Sequence, residues 1–353
     1  MSSLVRAGRR KVINSKVIVG TGSYLPERVL RNDEIEAAVR DFDRERAKCT
    51  LDQWCRTRMG AVERRRVAPG EGSSDMGTKA AALALRDAGM SAADIDLIVL
   101  STITSDHRVP PTASLVQRDL GATARFLQLD SACTGFLDAL MVADGLIDRL
   151  KVETALVIGT DAMSHYMDPL KFRAQTIFGD GAGAVVIRKG ADDRYGVKAY
   201  STGSSGADGH MVNVWAGGTK RPITVDVLER REQYMDLALG TIPTYGVGKM
   251  VDATRDVLAT AGVTPQQIDW VVPHQASENI IIDTATALGL PLEKFVINFS
   301  HVGNTSAGSI PLALDQARRE GRFRDGDRLV MPAVGAGMAW GAAYLVWRDY
   351  TSQ

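Results

Sequence analysis

The chain has 353 residues, 45% hydrophobic and 24% charged, the profile of a folded globular protein large enough for two ordinary domains or one two-part fold. Its 42 Lys and Arg balance 42 Asp and Glu, leaving no basic surplus for nucleic-acid phosphates and no charge excess of the kind that keeps interaction proteins disordered. Three cysteines make no disulfide framework, which points to a reducing cytoplasm, and no apolar run reaches the ~18 residues that span a membrane.

Residues 1–15 hold Arg6, Arg9, Arg10 and Lys11 without an apolar core, so they read as a flexible tail rather than a secretory signal. Strand and helix patterns then alternate. Residues 16–20 (KVIVG) predict a buried strand, followed by a Gly/Ser/Pro turn over 21–26. Small and apolar residues recur three and four apart over 75–88, which predicts a helix, and 96–101 (DLIVLS) predicts a β-branched strand. Residues 125–130 lead into a helix over 135–150, with Phe136, Leu140, Ala143, Ile147 and Leu150 on one stripe. Residues 155–159 and 184–188 predict further strands. The second half repeats the pattern, with helix 241–261, strand 270–272, helices 277–288 and 309–320, and two C-terminal strands. Such alternation with glycine-rich turns predicts an α/β fold with buried sheets. The repetition predicts an internal duplication meeting near residue 190, with residues 16–189 and 190–353 as two halves of one compact unit.

Two glycine clusters, 179–183 (GDGAG) and 335–341 (GAGMAWG), invite a nucleotide reading. A phosphate-binding glycine loop must open a helix, so that the helix N-terminus meets the phosphate. Here each cluster runs into an apolar, strand-like segment instead, and neither carries that chemistry.

Cys133 lies in LDSACTGF (129–136), between a strand and the helix that starts near Gly135. A thiol there faces unpaired N–H groups and the positive end of the helix dipole, which predicts a stabilised thiolate. Taken alone, a small buried cysteine at a strand–helix junction is the more ordinary reading, and Cys49 and Cys55 keep it. His274 follows an apolar strand in VPHQAS, and Asn304 lies in HVGNTSAGS, a turn that feeds the helix 309–320. All three groups stand at strand-to-loop junctions, where α/β folds place their chemistry.

At these residues the sequence resembles the β-ketoacyl-acyl carrier protein synthase III family of thiolase-like condensing enzymes. The matching segments run almost end to end: GTGSYLPE (20–27), W-x3-R-x-G (54–60), ACTGF (132–136), FGDGAGAVV (178–186), PHQA (273–276), GNTSAGSIPLAL (303–314) and the WG at 340–341. The resemblance implies a layered α-β-α-β-α core of two duplicated halves. It implies that Cys133 takes an acyl group from a coenzyme A thioester, with the backbone N–H groups of Cys133 and Ala336 as its oxyanion hole. His274 and Asn304 would then stabilise the enolate released when a malonyl-type thioester, on coenzyme A or a carrier protein, loses carbon dioxide. Trp54 and Arg58 align with positions that sandwich the coenzyme A adenine, inside a basic segment, 54–66, that holds five arginines against Glu63. A cytoplasmic homodimer without metal or cofactor is the implied assembly, coenzyme A entering as substrate.

The match has departures. Val109 stands where the family usually has an aromatic residue reaching into the partner subunit's acyl pocket. Phe172, flanked by Lys171 and Arg173, stands at the register of a family arginine, and Phe172 and Arg173 are taken as substrate-binding candidates. Asn279 replaces the basic residue expected to dock an acyl carrier protein. These departures favour a specialised lipid or polyketide-type pathway over housekeeping fatty-acid initiation. The alternative is an acyltransferase that passes the acyl group from Cys133 to an oxygen or nitrogen nucleophile without decarboxylation. A biosynthetic thiolase would need a second cysteine near 334–338, which has none, and a non-catalytic partner subunit would usually lack Cys133.

Overall fold

The structure is a computed structural model that describes residues 15–238 and 240–350. Residues 1–14 of the expected tail lie outside the described residues. Ser15 is buried, its hydroxyl donating to the Asp192 carbonyl at 3.0 Å.

Two sheets organise the molecule. In the first, the strands run in the order Lys16–Tyr24, Asp180–Lys189, Thr154–Ala162, Leu97–Ser101, Arg125–Leu129. The second runs Gly196–Ser204, Ala339–Val346, Arg328–Gly335, Trp270–Val271. Both start with two antiparallel pairings and go on with a parallel one. Where the first sheet adds a fifth strand, the second has a single parallel bridge, Val271 to Phe295. This is the duplicated, thiolase-like α/β architecture.

Alternation along the strands explains the layering, because successive side chains face opposite sides of a sheet. Leu97, Val99, Ala155 and Val157 point inward, onto the two central helices Gly135–Leu150 and Ser309–Arg319. Their neighbours Ile98, Leu100, Leu156 and Ile158 point outward, onto helix Ser73–Asp87. The second sheet covers the other side of the central helices with Leu329, Met331 and Ala343. Its outer face packs on helices Ile242–Ala261 and Glu278–Leu288.

The expected turn over 21–26 is instead strand through Tyr24, paired with Ala182. Its glycines serve packing. A Cβ on Gly22 would lie 2.3 Å from both the Ala80 carbonyl oxygen and the Ala84 nitrogen, so only glycine lets helix Ser73–Asp87 settle on the strand. The GDGAG cluster likewise lies within a strand from Asp180 onward. Among the described residues, no helix is long and apolar enough to cross a membrane.

Candidate active site

The site lies where the two central helices begin. Cys133 occupies a short turn, Ala132–Thr134, that runs straight into Gly135–Leu150. Ala132 holds this turn in left-handed backbone, φ 46°, a conformation that costs a residue with a Cβ roughly 1–2 kcal/mol. The end of strand Arg328–Gly335 lies against the turn, and a Cβ on Gly335 would sit 2.9 Å from the Cys133 nitrogen. Glycine there lets the following residue, Ala336, reach the same cavity as the thiol.

The expected stabilised thiolate is not the resting state. Desolvation pushes the Cys133 thiol up to about 12, and the buried Asp161 carboxylate pushes the same way. Hydrogen bonds with Ser306 and Asn304 oppose the rise, and the Ser306 hydroxyl lies 3.7 Å from the sulfur. The helix N-terminus therefore acts on negative charge that develops during reaction, not on the resting side chain.

His274 is brought in by the second sheet: its N–H donates to the Pro332 carbonyl at 2.8 Å, extending the parallel ladder past Val271. The ring is 1% exposed, and burial pushes its pKa down to about 3, so the imidazole is neutral. Nδ1 lies 2.6 Å from the Ser309 hydroxyl. A hydroxyl donating there leaves the imidazole hydrogen on Nε2 and makes that nitrogen a donor. Asn304 is fixed by backbone bonds to Ile177 and Gly179. Its Oδ1 accepts the Ser306 N–H at 2.8 Å, which commits the amide oxygen and leaves the NH₂ as the donor end, on the side of Cys133.

Cys133, His274, Asn304 and Ala336 line one cavity of about 480 Å³, together with Trp54, Arg58 and Arg173. Phe172 stands behind this wall, edge-on to Trp54 with ring centroids 5.2 Å apart. It braces the indole and does not line the cavity. Val109 is 84% exposed and lies outside the cavity. Much of the remaining lining is apolar and rich in methionine, including Ile103, Met163, Met235, Leu237 and Met338. Among the described residues, no group of three or more His, Cys, Asp or Glu side chains is placed to hold a metal ion.

Profiles of 3-oxoacyl-[acyl-carrier-protein] synthase III match residues 127–206, and those of its C-terminal part match residues 258–347. A β-ketoacyl-[acyl-carrier-protein] synthase III from Rhodopirellula baltica is 37% identical over 347 residues, covering 94% of this chain and 98% of its own length. The chain belongs to the β-ketoacyl-[acyl-carrier-protein] synthase III family. It is thus an enzyme of a family of condensing transferases. The crystal structure of the Pseudomonas aeruginosa synthase III superposes with a TM-score of 0.84 at 36% identity, covering 95% of this chain and 99% of that one. The priming β-ketosynthase of a polyketide biosynthetic pathway superposes equally well, TM-score 0.84 at 30% identity, covering 95% and 97%.

Within this synthase III frame the basic segment reads differently from its composition. Strand Glu63–Arg66 alternates, and it turns Arg64 and Arg66 inward. The Arg64 guanidinium donates to Asn32 Oδ1 at 2.7 Å and to the Thr176 carbonyl at 2.6 Å, and burial lowers its pKa to about 10. Arg66 donates to the Phe178 carbonyl at 2.7 Å, and Arg56 pairs with Asp52. Arg64 and Arg66 thus tie strand Glu63–Arg66 to residues 176–178, beside Asn304, and Arg58 alone of the five arginines lines the cavity. Asn279 has a structural partner too, its NH₂ donating to the Arg58 carbonyl at 2.8 Å. Ser306, Ser309 and Asp161 were missed as site residues. The first two lie inside the GNTSAGS match, whereas Asp161 carries no local signal.

Proposed function

We propose that this synthase III takes an acyl group from coenzyme A onto Cys133 and joins it to a malonyl-type thioester by decarboxylative Claisen condensation. The observation that carries this reading is the single cavity, where one half contributes a thiol and the other half two neutral N–H donors. In the first step Cys133 Sγ attacks the thioester carbonyl, and the N–H groups of Cys133 and Ala336 hold the oxyanion. In the second, His274 Nε2 and the Asn304 NH₂ donate to the malonyl thioester oxygen. The enolate formed on loss of carbon dioxide is stabilised there, and its carbon attacks the acyl-cysteine. A neutral imidazole fills this role when its one hydrogen is on Nε2, because it then donates a hydrogen bond to the enolate oxygen without being acidic enough to protonate it.

Trp54, Arg58 and Arg173 form the coenzyme A contact, with Phe172 holding the indole in place. The reaction needs no metal or bound cofactor. Three free cysteines support a reducing, cytoplasmic setting, and a second copy of the chain completes a homodimer around exposed Val109. The extender is carried on coenzyme A or on a carrier protein. Commitment of Asn279 to Arg58 and the roomy apolar cavity support a specialised lipid or polyketide-type product. The same observations support a second reading, in which acyl-Cys133 is captured by an oxygen or nitrogen nucleophile.

Intact-protein mass spectrometry with a panel of acyl-CoAs, followed by malonyl-CoA or malonyl-carrier protein, tests both. Condensation is expected to show an acyl adduct that disappears on malonyl addition with release of carbon dioxide. Adduct transfer to a hydroxyl or amine acceptor, with no carbon dioxide released from malonyl substrate, would favour the second reading.

A further inference from the structure

Asp161 is a fully buried carboxylate that the condensation scheme leaves unused. It is the penultimate residue of strand Thr154–Ala162, and its Oδ1 accepts from the Thr102 hydroxyl and the Ile103 N–H at 2.9 and 2.8 Å. The Thr104 N–H and hydroxyl reach the same oxygen at 3.2 and 2.9 Å, while Oδ2 accepts the Ala307 N–H at 3.1 Å. The Ser306 hydroxyl, on the residue before Ala307, also favours the ionised carboxylate. All of these partners are neutral, and a buried charge without a cation is costly to keep. Tying two loops together needs only a neutral acceptor.

The Ser306 hydroxyl is also the group 3.7 Å from Cys133 Sγ, with the thiol as donor. Ser306 is held there in left-handed backbone, φ 51°. The side chains thus form a two-step path, from thiol to serine hydroxyl to carboxylate. We propose that Asp161 accepts the Cys133 proton through Ser306 during acylation and returns it to the departing coenzyme A.

The step balances. Attack forms the bond from sulfur to the thioester carbon while the thiol proton passes to Ser306 and the serine proton passes to Asp161. Collapse breaks the bond to coenzyme A sulfur; Asp161 gives its proton back to Ser306 while the serine proton passes to the leaving sulfur, which yields free coenzyme A thiol and ionised Asp161. The titratable surroundings are compatible with this. His274, in the same cavity, is a poor base because burial disfavours its protonated form, whereas burial raises the Asp161 carboxyl and makes it a better one. Tyr166 donates to the Ile103 carbonyl at 2.7 Å and stays protonated, raised by burial with Asp161 and Asp130 adding to the rise. Asp138, on the nucleophile helix, is occupied by the Thr134 hydroxyl at 2.9 Å.

This inference rests on acylation of Cys133, and its test separates the two. Single-turnover acylation by acyl-CoA would be followed by intact mass from about pH 6 to about pH 9 in the wild type, Ser306→Ala and Asp161→Asn. Ser306→Ala keeps the backbone N–H that orients Asn304. It is expected to acylate about 10²-fold slower at neutral pH, recovering close to tenfold per pH unit as thiolate forms in solution. Asp161→Asn is expected to match it. If that variant does not fold by circular dichroism, Ser306→Ala decides alone. Acylation within about threefold of wild type, or a slower rate with an unchanged pH profile, would overturn the relay. A wild-type enzyme that forms no adduct on Cys133 would overturn the proposed reaction instead.

Discussion

The two halves share a frame and divide the chemistry. In each, an outer strand leads through a covering helix to a parallel pair, and a buried helix follows. The turn before that helix holds Cys133 in the first half and Asn304 with Ser306 in the second. The loop after the second strand holds Thr102 and Thr104 in the first half and His274 in the second. The end of the next long strand holds Asp161 in the first half and Gly335 with Ala336 in the second. Equivalent positions in the two halves thus carry different functional groups. Duplication supplies two helix N-termini aimed at one point, and substitution afterwards decides which becomes nucleophile and which becomes donor. The lesson is that backbone symmetry places the groups, while side chains set the order of events.

Breaking either half should therefore give a different failure. Cys133→Ala should abolish the acyl adduct after incubation with acyl-CoA; an adduct on that variant would remove Cys133 from its role. Asn304→Ala should acylate at near wild-type rate yet lose about 10²–10³-fold in condensation, as expected for a lost donor at a developing oxyanion. Equal loss of both steps would erase the proposed division. Trp54→Ala should raise KM for acyl-CoA about tenfold with little change in kcat, since stacking holds the nucleotide and not the reacting carbon. A fall in kcat alone would place the indole elsewhere.

The smallest effect concerns stability. The folded-state pKa of His274 lies near 3, below the ordinary value of about 6.5, so the unfolded chain takes up the proton first. Its contribution is complete above about pH 6.5 and is lost as pH falls towards 3. Urea midpoints measured at falling pH should therefore drop less steeply for His274→Gln than for the wild type. Parallel slopes would show that the ring is not desolvated as described.

Much of this could be read from the chain because the signals are local. The helix Gly135–Leu150 has the bounds that its apolar stripe predicts, and Cys133, His274 and Asn304 announce themselves at element ends. Tyr24 and the glycines before it were misread as a turn because their reason is a helix some sixty residues away. Arg64 and Arg66 were counted with the basic segment around Trp54 and Arg58 because charge was summed over a stretch whose strand turns these two side chains inward. Asp161 stayed invisible because its partners come from residues 102–104 and 306–307, which only folding brings together.

The left-handed turns at Ala132 and Ser306 also bear on how far the enzyme can be made sturdier. Relaxing the first with Ala132→Gly removes a steric penalty, which by itself favours the native state, but the same change widens the range of directions the nucleophile can take. Thermal robustness and turnover would then be traded at a single residue. A laboratory selection for heat tolerance alone would be drawn towards that position and would return a hardier, slower catalyst.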